Sequence, residues 1–555
     1  MSEAIKIYCK NLGRYVDVAG GERLTSVAAR LRDELGFDAI CAYVNNKSEA
    51  LSFAVYNPKQ VEFLPRTSAS GARVYFRSLC MMLYKAVTLV CPGAKLSVEH
   101  SISRGYYCRL SGAEVTPELI LRLRDEMMSL VERNLPFVRD ECPTKDVIRI
   151  FASQGLDDKV ALLETTHELY TTYYTLDGLC DSYYGPLAPS TSYVPVFDLT
   201  PYKEGFLLLS FDPCEPSKTP APVMQEKMYK AFTDYLAFDR IIGVDNVGGL
   251  NKEVEKHLGS QLVYLAEALH EKAISRISDE ITRRYRDGGA RIVLIAGPSS
   301  SGKTTTTKRL GVQLMTNLLK PQLISLDNYF VNRDRTPRDE TGDYDYESLY
   351  ALDLKQFNDD LNAILRGEEV ELPYYNFELG QRQYRGDKIK LDEGSILLIE
   401  GIHGLNPELT SQIEERMKFR IYVSALTTIS IDDHNRIPTT DNRLLRRIIR
   451  DAKYRAMSPE ETIKRWASVR RGEERWIFPY QENADAMFNS SLLFELAVMK
   501  DRGETLLRNV PNYVPEYAEA YRLRKFLSYF QSIPADNVPS TSVLREFLGG
   551  SSFKY

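Results

Sequence analysis

A glycine-rich loop at residues 297–304 constrains this chain more than any other stretch. It reads Gly297-Pro298-Ser299-Ser300-Ser301-Gly302-Lys303-Thr304 and fits the phosphate-binding pattern of a glycine, four residues and then Gly-Lys-Ser/Thr. The apolar run at 292–296 predicts a buried parallel strand before the loop, and residues 305–314 predict a helix after it. Strand, glycine loop and helix are the context that the motif requires, so we expect a nucleoside triphosphate to bind here.

The residue types of the loop explain this expectation. Glycine lets the backbone wrap tightly, so that successive N–H groups point at phosphate oxygens, and the helix N-terminus adds partial positive charge. Lys303 is placed to reach the β- and γ-phosphates, and the Thr304 hydroxyl to hold Mg²⁺. We therefore predict that residues 297–304, together with Thr305, bind ATP and Mg²⁺.

Length and charge limit the remaining possibilities. With 555 residues the chain is too long for one core, which predicts three or more domains. A formal net charge of −5 gives no overall basic character, so a nucleic-acid partner is not expected. The sequence has no signal-peptide pattern and no apolar run that could span a bilayer, so we expect a cytoplasmic protein without a membrane partner. The sequence is also compatible with a homo-oligomer.

From about residue 290 onward, predicted strands alternate with predicted helices, which indicates an α/β domain with a parallel sheet flanked by helices. Asp327 and Glu400 each follow a buried strand and should therefore lie at the same sheet edge as the loop. Taken singly, either carboxylate could simply cap a helix or occupy a turn. Next to Lys303 and Thr304, they can supply a metal ligand and a base for an acceptor hydroxyl, as phosphoryl transfer requires.

A basic segment and several loop aromatics complete the set. Residues 443–455 are rich in arginine, which indicates either a solvated helix face or a helix that closes over the triphosphate. Aromatic side chains in predicted loops could stack on a base or sugar. The candidate substrate contacts are Asp327, Tyr329, Tyr344, Asp345, Tyr375 and Phe377.

Together these motifs resemble the uridine kinase/phosphoribulokinase family of P-loop kinases. The matching stretches keep the family's order and are residues 297–304, 327–330, 344–345, 373–377, 400–402 and 446–451. The resemblance implies that Asp327 is the catalytic base and that Glu400 joins the Mg²⁺ shell, to which we also assign Thr304 and Asp327. It further implies that Asp345 holds the ribose, that Tyr375 touches the base, and that the lid contains Arg447, Arg450 and Arg455.

Two differences from the family pattern leave the identity of the phosphoryl acceptor undetermined. Uridine-cytidine kinases carry a His shortly after the tyrosine that matches Tyr375, but residues 378–382 contain none, and 427–442 is longer than the family's approach to the lid. The resemblance implies an ATP-dependent nucleoside kinase with a small-molecule nucleoside acceptor. A kinase of another small alcohol or sugar phosphate, and a nucleotide-dependent, RNA-associated regulatory protein, remain as alternatives.

The N-terminal half has a different character. Residues 1–65 resemble the TGS domain, a β-grasp module, and residues 66–214 resemble the α+β editing domain of threonyl-tRNA synthetase. Of the four polar positions in that editing site only Cys180 is kept, since the other three are Arg77, Met81 and Tyr184, so we expect no hydrolysis there. We predict a helical connector at 215–289, with one long helix through Val254 and Leu258, then a kinase domain at 290–505 and a helical tail at 506–555.

Overall fold

A five-stranded sheet opens the structure, a computed structural model that describes residues 4–340 and 342–554. Its strands run in the order β2-β1-β7-β4-β5, and Ile5 faces Val18 in the predicted hairpin. The helix α1 packs on the sheet and ends at Gly36, whose φ of 72° is left-handed. Residues 1–3, on which the expectation about a signal peptide partly rests, lie outside the described ranges. The elements are β1 (Ala4–Cys9), β2 (Arg14–Ala19), β3 (Glu22–Arg23), α1 (Leu24–Leu35), β4 (Ala39–Val44), β5 (Lys47–Ala50), β6 (Ala54–Val55) and β7 (Gln60–Pro65).

The second unit surrounds one long buried helix, α2, most of whose side chains are apolar and inaccessible. A four-stranded sheet of order β13-β14-β9-β8 and a three-stranded sheet of order β10-β11-β12 accompany it. Its elements are α2 (Ala69–Val90), β8 (Lys95–Ile102), β9 (Gly105–Ser111), α3 (Pro117–Arg133), β10 (Val138–Pro143), α4 (Thr144–Ser153), α5 (Asp157–Thr166), β11 (Tyr170–Leu176), β12 (Leu179–Asp181), β13 (Asp198–Tyr202) and β14 (Gly205–Leu209).

Three helices form the connector: α6 (Glu226–Ile241), α7 (Val247–Glu255) and α8 (Gly259–Arg286). The prediction of one helix through Val254 and Leu258 is wrong at this point. His257 has a φ of 60°, and this left-handed conformation cannot continue an α-helix. Apolar spacing alone does not reveal the interruption, because Val254 and Leu258 are both partly buried on either side of it.

A parallel five-stranded sheet forms the C-terminal part, as predicted. The strand order is β16-β19-β15-β20-β21, and every neighbouring pair is parallel. The central strand β15 is fully buried because helices α8 and α9 cover one face of the sheet and α10 the other. The elements are β15 (Ile292–Ala296), α9 (Lys303–Thr316), β16 (Lys320–Ser325), α10 (Leu354–Leu365), β17 (Val370–Asn376), β18 (Gln381–Ile389), β19 (Ser395–Glu400), β20 (Lys418–Ser424), α11 (Thr439–Tyr454), α12 (Pro459–Trp476) and β21 (Ala486–Asn489).

Helix α13 (Glu495–Arg508) ends the kinase-like part, and the tail beyond it contains α14 (Tyr517–Ser528) and the short α15 (Arg545–Leu548). The tail shares one apolar core with helices of the second unit, the connector and the kinase-like part. We call this the shared core; it contains Leu162, Val247, Leu444, Leu523 and Leu548. Across residues 4–340 and 342–554, the helices lack the length and apolar character needed to cross a membrane.

The long segment before α11, residues 427–438, joins the kinase-like part to the second unit. Lys159 Nζ lies 2.9 Å from Asp181 Oδ1 and 2.8 Å from Asp432 Oδ1, and His434 Nδ1 lies 2.8 Å from Asp181 Oδ2. All four side chains are buried. The extra length of this segment, compared with the family that the sequence resembles, therefore supplies an interface rather than a free loop.

Candidate active site

The phosphate loop joins β15 to α9 and bends sharply between them. Ser300 and Gly302 have φ angles of 59° and 80°, which are left-handed. A Cβ on Gly297 would collide with the Val423 carbonyl oxygen, so only glycine lets the loop start this close to β20. The geometry gives the tight backbone turn that the sequence motif predicts.

Two buried arginines of α11 hold the loop from the protein side. Arg443 Nε donates to the Ser299 carbonyl at 2.9 Å, and Arg446 Nη1 donates to the Ser300 carbonyl at 3.4 Å. Each is at most 1% exposed and ion-paired, Arg443 with Glu473 and Arg446 with Glu495. The interpretation of a solvated helix face is therefore wrong for these two residues, which position the loop backbone.

The three predicted lid arginines gather around one buried carboxylate. Arg447, Arg450 and Arg455 each place a guanidinium nitrogen 3.3 Å from Asp451, which is fully buried. Arg447 Nη1 also donates to Ser299 Oγ at 2.8 Å, so this cluster touches the phosphate loop. The arrangement concentrates positive charge beside the place where the sequence predicts the triphosphate.

The two predicted carboxylates meet the loop lysine at the sheet edge. Asp327 lies on a 3₁₀ turn directly after β16, with its side chain open to the cleft. Surrounding protein raises the pKa of Asp327, while the charges of Lys303 and Arg455 oppose the increase. Burial lowers the pKa of Lys303, while Glu400 and Asp327 oppose that shift. Lys303 is thus electrostatically coupled to both acids.

The predicted Mg²⁺ ligands have a suitable donor set. Thr304 Oγ1 lies 3.2 Å from each oxygen of the Glu400 carboxylate, so a hydroxyl and a carboxylate meet directly beside the loop. Mg²⁺ prefers one or two such oxygen ligands in combination with substrate phosphates. Burial raises the pKa of Glu400 to about 7, and nearby Asp327 adds to this effect. A bound cation would stabilise the ionised carboxylate, so the residues present fit the ion.

The predicted aromatic contacts divide into two groups. Tyr329 and Tyr375 are each 1% exposed and pack in the core beneath the sheet edge, and Tyr329 donates to Asp360 at 3.0 Å. The expectation of a loop position is wrong for Tyr375, which belongs to β17, while Tyr329 lies on a 3₁₀ turn and its ring nevertheless packs in the core. Phe377 is 56% exposed. Their contacts with a substrate stay a prediction.

The acceptor-side residues Tyr344 and Asp345 lie in a turn before α10. The Arg338 guanidinium covers the Tyr344 ring at 4.5 Å, and Asp345 Oδ1 accepts from the Glu347 amide at 3.1 Å. The hydrogen bond from the Glu347 amide orients the turn, so Asp345 already has a local partner. The role of Asp345 toward a ribose also stays a prediction.

Sequence reasoning did not identify three glutamates beside this site. Glu473 accepts from the Ser299 amide at 3.2 Å. Glu347 is close enough to Glu473, Arg447 and Lys303 for their charges to act on it. Glu546, from the C-terminal tail, accepts from Thr305 Oγ1 at 2.8 Å. No local motif marks them, since each comes to the loop through the tertiary fold.

Comparison with known proteins agrees with this architecture. Residues 292–493 match the model of the Phosphoribulokinase / Uridine kinase family. This stretch contains the phosphate loop, both carboxylates and the arginine cluster. The match supports a P-loop kinase domain in the C-terminal part of the chain.

Individual relatives resemble different portions of the chain. A uridine kinase of Bacillus pumilus is 27% identical over 195 residues, which cover 83% of that enzyme but 35% of this chain. A threonine--tRNA ligase of Rubrobacter xylanophilus is 26% identical over 188 residues, which cover 34% of this chain and only 29% of the ligase. A solved structure titled as a possible uridine kinase from Bacillus stearothermophilus covers 36% of this chain and 89% of its own, at 19% identity and a TM-score of 0.25.

Proposed function

We propose that this chain is an ATP-dependent kinase that transfers the γ-phosphoryl group of ATP to the 5′-hydroxyl of a ribonucleoside. The observation that supports it most is the meeting of the Thr304 hydroxyl and the Glu400 carboxylate, 3.2 Å apart, beside a well-formed phosphate loop that Arg447 contacts. Phosphoryl transfer requires these parts: a phosphate cradle, a cation for developing charge, and an acid that can take the acceptor's proton. The family match at residues 292–493 supports the same reaction class.

In this proposal the loop amides of residues 297–305 bind the triphosphate, and Lys303 neutralises charge on its β- and γ-phosphates. Arg447, Arg450 and Arg455 close over the transferred group from the Asp451 cluster. Thr304, Glu400 and Asp327 would hold Mg²⁺, which would neutralise charge on the phosphate oxygens. Arg443 and Arg446 fix the loop backbone and do not contact the substrate.

Asp327 is the proposed base for the acceptor hydroxyl. Its carboxylate is open to the cleft, and its raised pKa makes it a better proton acceptor than an ordinary aspartate. Asp345 and the exposed Phe377 are the proposed contacts for the sugar and the base. In an apo protein such contacts are often incomplete and form only when substrate binds.

The test is an acceptor screen with purified full-length protein, Mg²⁺ and radiolabelled ATP. The panel contains the common ribonucleosides, their deoxy forms, sugar phosphates and small alcohols. We expect a ribonucleoside to be phosphorylated and Asp327→Asn to lower kcat by about a hundredfold or more, with ATP binding retained. Asp334→Asn, an exposed aspartate on the neighbouring turn, is the matched control and should keep full activity.

Two outcomes would contradict the proposal. Phosphorylation of only sugar phosphates would replace the nucleoside with the alternative acceptor class. ATP binding without transfer to any acceptor, combined with tight and salt-sensitive RNA binding, would favour the RNA-associated regulatory alternative.

A further inference from the structure

A cavity of about 1090 Å³ lies between the N-terminal sheet, the second unit and helix α14. Ligand sites for small molecules commonly measure about 300–1,000 Å³, so a nucleotide-sized molecule would fit. None of the phosphate-loop residues lines it. The cavity is therefore a separate place in the molecule, made by three segments that are distant in sequence.

The lining is strongly basic in a chain that is acidic overall. Two acidic side chains, Glu49 and Asp140, face the cavity, against seven cationic ones. The whole chain has a formal net charge of −5. The cationic residues are Arg23, Lys47, Arg73, Arg77, Arg139, Arg522 and Lys525.

Four of these cations already have carboxylate partners, and three do not. Arg73 and Arg522 pair with Glu519, Lys47 pairs with Glu49, and Arg139 pairs with Glu141. By contrast, no carboxylate within residues 4–340 and 342–554 forms an ion pair with Arg23, Arg77 or Lys525. The surplus charge of the cavity is therefore carried by these three side chains.

Arg77 is the most informative of them. It is 7% exposed, and its Nε and Nη2 atoms donate to the Pro186 carbonyl, at 3.2 and 2.9 Å. Its guanidinium lies over the Tyr184 ring at 5.6 Å, and among the described residues Nη1 has no acceptor. Burial and nearby Arg73 lower the pKa of Arg77, the direction expected for a cation without a counter-ion. A buried, oriented guanidinium with a spare donor suits a bidentate anion.

Lys525 reaches the same space from α14. Its side chain is exposed, but the enclosing walls lower its pKa, and the charges of Arg139, Lys47 and Arg77 lower it further against the opposing charge of Glu168. A cluster with such an excess of positive charge costs free energy in the empty protein. A ligand with several negative charges would remove that cost.

We infer that this cavity binds a small anionic metabolite that carries phosphate groups, with Arg77 and Lys525 as its principal contacts. Phosphate fits because it is multiply charged and accepts parallel hydrogen bonds from a guanidinium. The tyrosine rings and hydroxyls of the walls, such as Tyr56, Tyr184 and Tyr521, would contact the remainder of the ligand. This inference goes beyond the kinase reaction and does not depend on it.

The cavity also has a direct link to the phosphate loop. Arg522 lines the cavity and makes a bidentate pair with Asp441, at 2.6 and 2.8 Å. Asp441 lies in the first turn of α11, the helix whose Arg443 and Arg446 hold the loop backbone. A ligand that attracts Arg522 would weaken this pair, so occupancy of the cavity would change the affinity of the loop for nucleotide.

The test is calorimetric titration of inorganic tripolyphosphate into Lys303→Ala protein, in which the phosphate loop is weakened as a competing site. We expect one remaining class of binding site. Adding Arg77→Gln and Lys525→Gln should weaken that binding at least tenfold. The matched control adds Lys272→Gln and Arg276→Gln, which remove the same charge from an exposed stretch of α8, and should bind as the parent does. Equal binding by the cavity variant and the control would overturn the inference.

A second variant distinguishes loss of ligand binding from loss of folding. Lys525→Gln alone changes an exposed side chain and should still weaken tripolyphosphate binding by about threefold or more. A single-stranded RNA of ten nucleotides forms a further arm of the titration. If it binds at least tenfold more tightly than tripolyphosphate, and the cavity variant loses that binding, the assignment to a small molecule is overturned.

Discussion

The carboxylate of Glu546 accepts a 2.8 Å hydrogen bond from the Thr305 hydroxyl and lies 3.3 Å from the Thr305 amide nitrogen. Thr305 belongs to the first turn of α9, where the exposed amides and the helix dipole favour an anion. Val543 of the same tail packs against Gly302. The C-terminal segment thus places negative charge where the sequence predicts phosphate.

Removing that charge should favour nucleotide. We expect Glu546→Gln to bind a non-hydrolysable ATP analogue about three- to tenfold more tightly, because a carboxylate no longer competes for the helix N-terminus. Fluorescence or calorimetric titration measures the dissociation constant. Glu114→Gln, at an exposed loop position, is the control and should bind as the wild type does. Weaker binding by Glu546→Gln would mean that the contact stabilises the loop for nucleotide, and unchanged binding would mean that the carboxylate does not compete with nucleotide.

The partly buried acid Glu347 should make stability depend on pH. Burial raises the pKa of Glu347 to about 7, with Glu473 adding to the effect and Arg447 opposing it. In the unfolded chain this group titrates near pH 4.3. Between about pH 4.3 and about 7, the folded state therefore holds one proton more than the unfolded state. The stability it contributes is therefore present at low pH and lost as the pH rises through about 7.

Denaturant titrations at several pH values can isolate the contribution of Glu347 to the free energy of unfolding. We expect Glu347→Gln to be more stable than wild type at pH 8, by on the order of 1–3 kcal/mol, with the difference narrowing toward pH 5. Glu118→Gln, an exposed glutamate on α3, should show no such pH-dependent difference. A constant offset between wild type and Glu347→Gln across the pH range would mean that the carboxyl keeps its ordinary titration.

The buried ion network between the second unit and residues 427–438 should be costly to break. Lys159→Met leaves Asp181 and Asp432 buried without their shared cation, and we expect a loss of about 3–5 kcal/mol in the free energy of unfolding. Urea denaturation gives this value. Lys145→Met, an exposed lysine on α4, should change it by less than about 0.5 kcal/mol. A small effect at Lys159 would mean that water reaches the two acids.

Local sequence was sufficient for the sheet that carries the loop. The strands at 292–296, 396–399 and 421–423 could be predicted because buried parallel strands are continuous apolar runs. Asp327 and Glu400 could be placed near the loop because the ends of parallel strands share one edge. These inferences need only the order of neighbouring elements.

Features that depend on distant segments could not be predicted. The charge pattern of 443–455 does not show that Arg443 and Arg446 are buried, because their partners Glu473 and Glu495 lie on other helices. Nor does any motif bring Glu546 to Thr305. The basic cavity likewise exists only where three sequence segments meet. Tyr375 departs from its prediction for a local reason: the proline and aromatic residues around it are typical of a loop, but Tyr375 belongs to β17 and its ring lies in the core.

The shared core has a consequence for how this polypeptide can be divided. Leu162, Leu444, Leu523 and Leu548 come from parts of the chain that sequence alone assigns to different domains, yet they are buried together. A fragment cut at 290–505 would expose that surface to water and lose the tail that covers it. Heating should therefore unfold the kinase-like part, the tail and the second unit in one cooperative transition, rather than in separate transitions of independent domains.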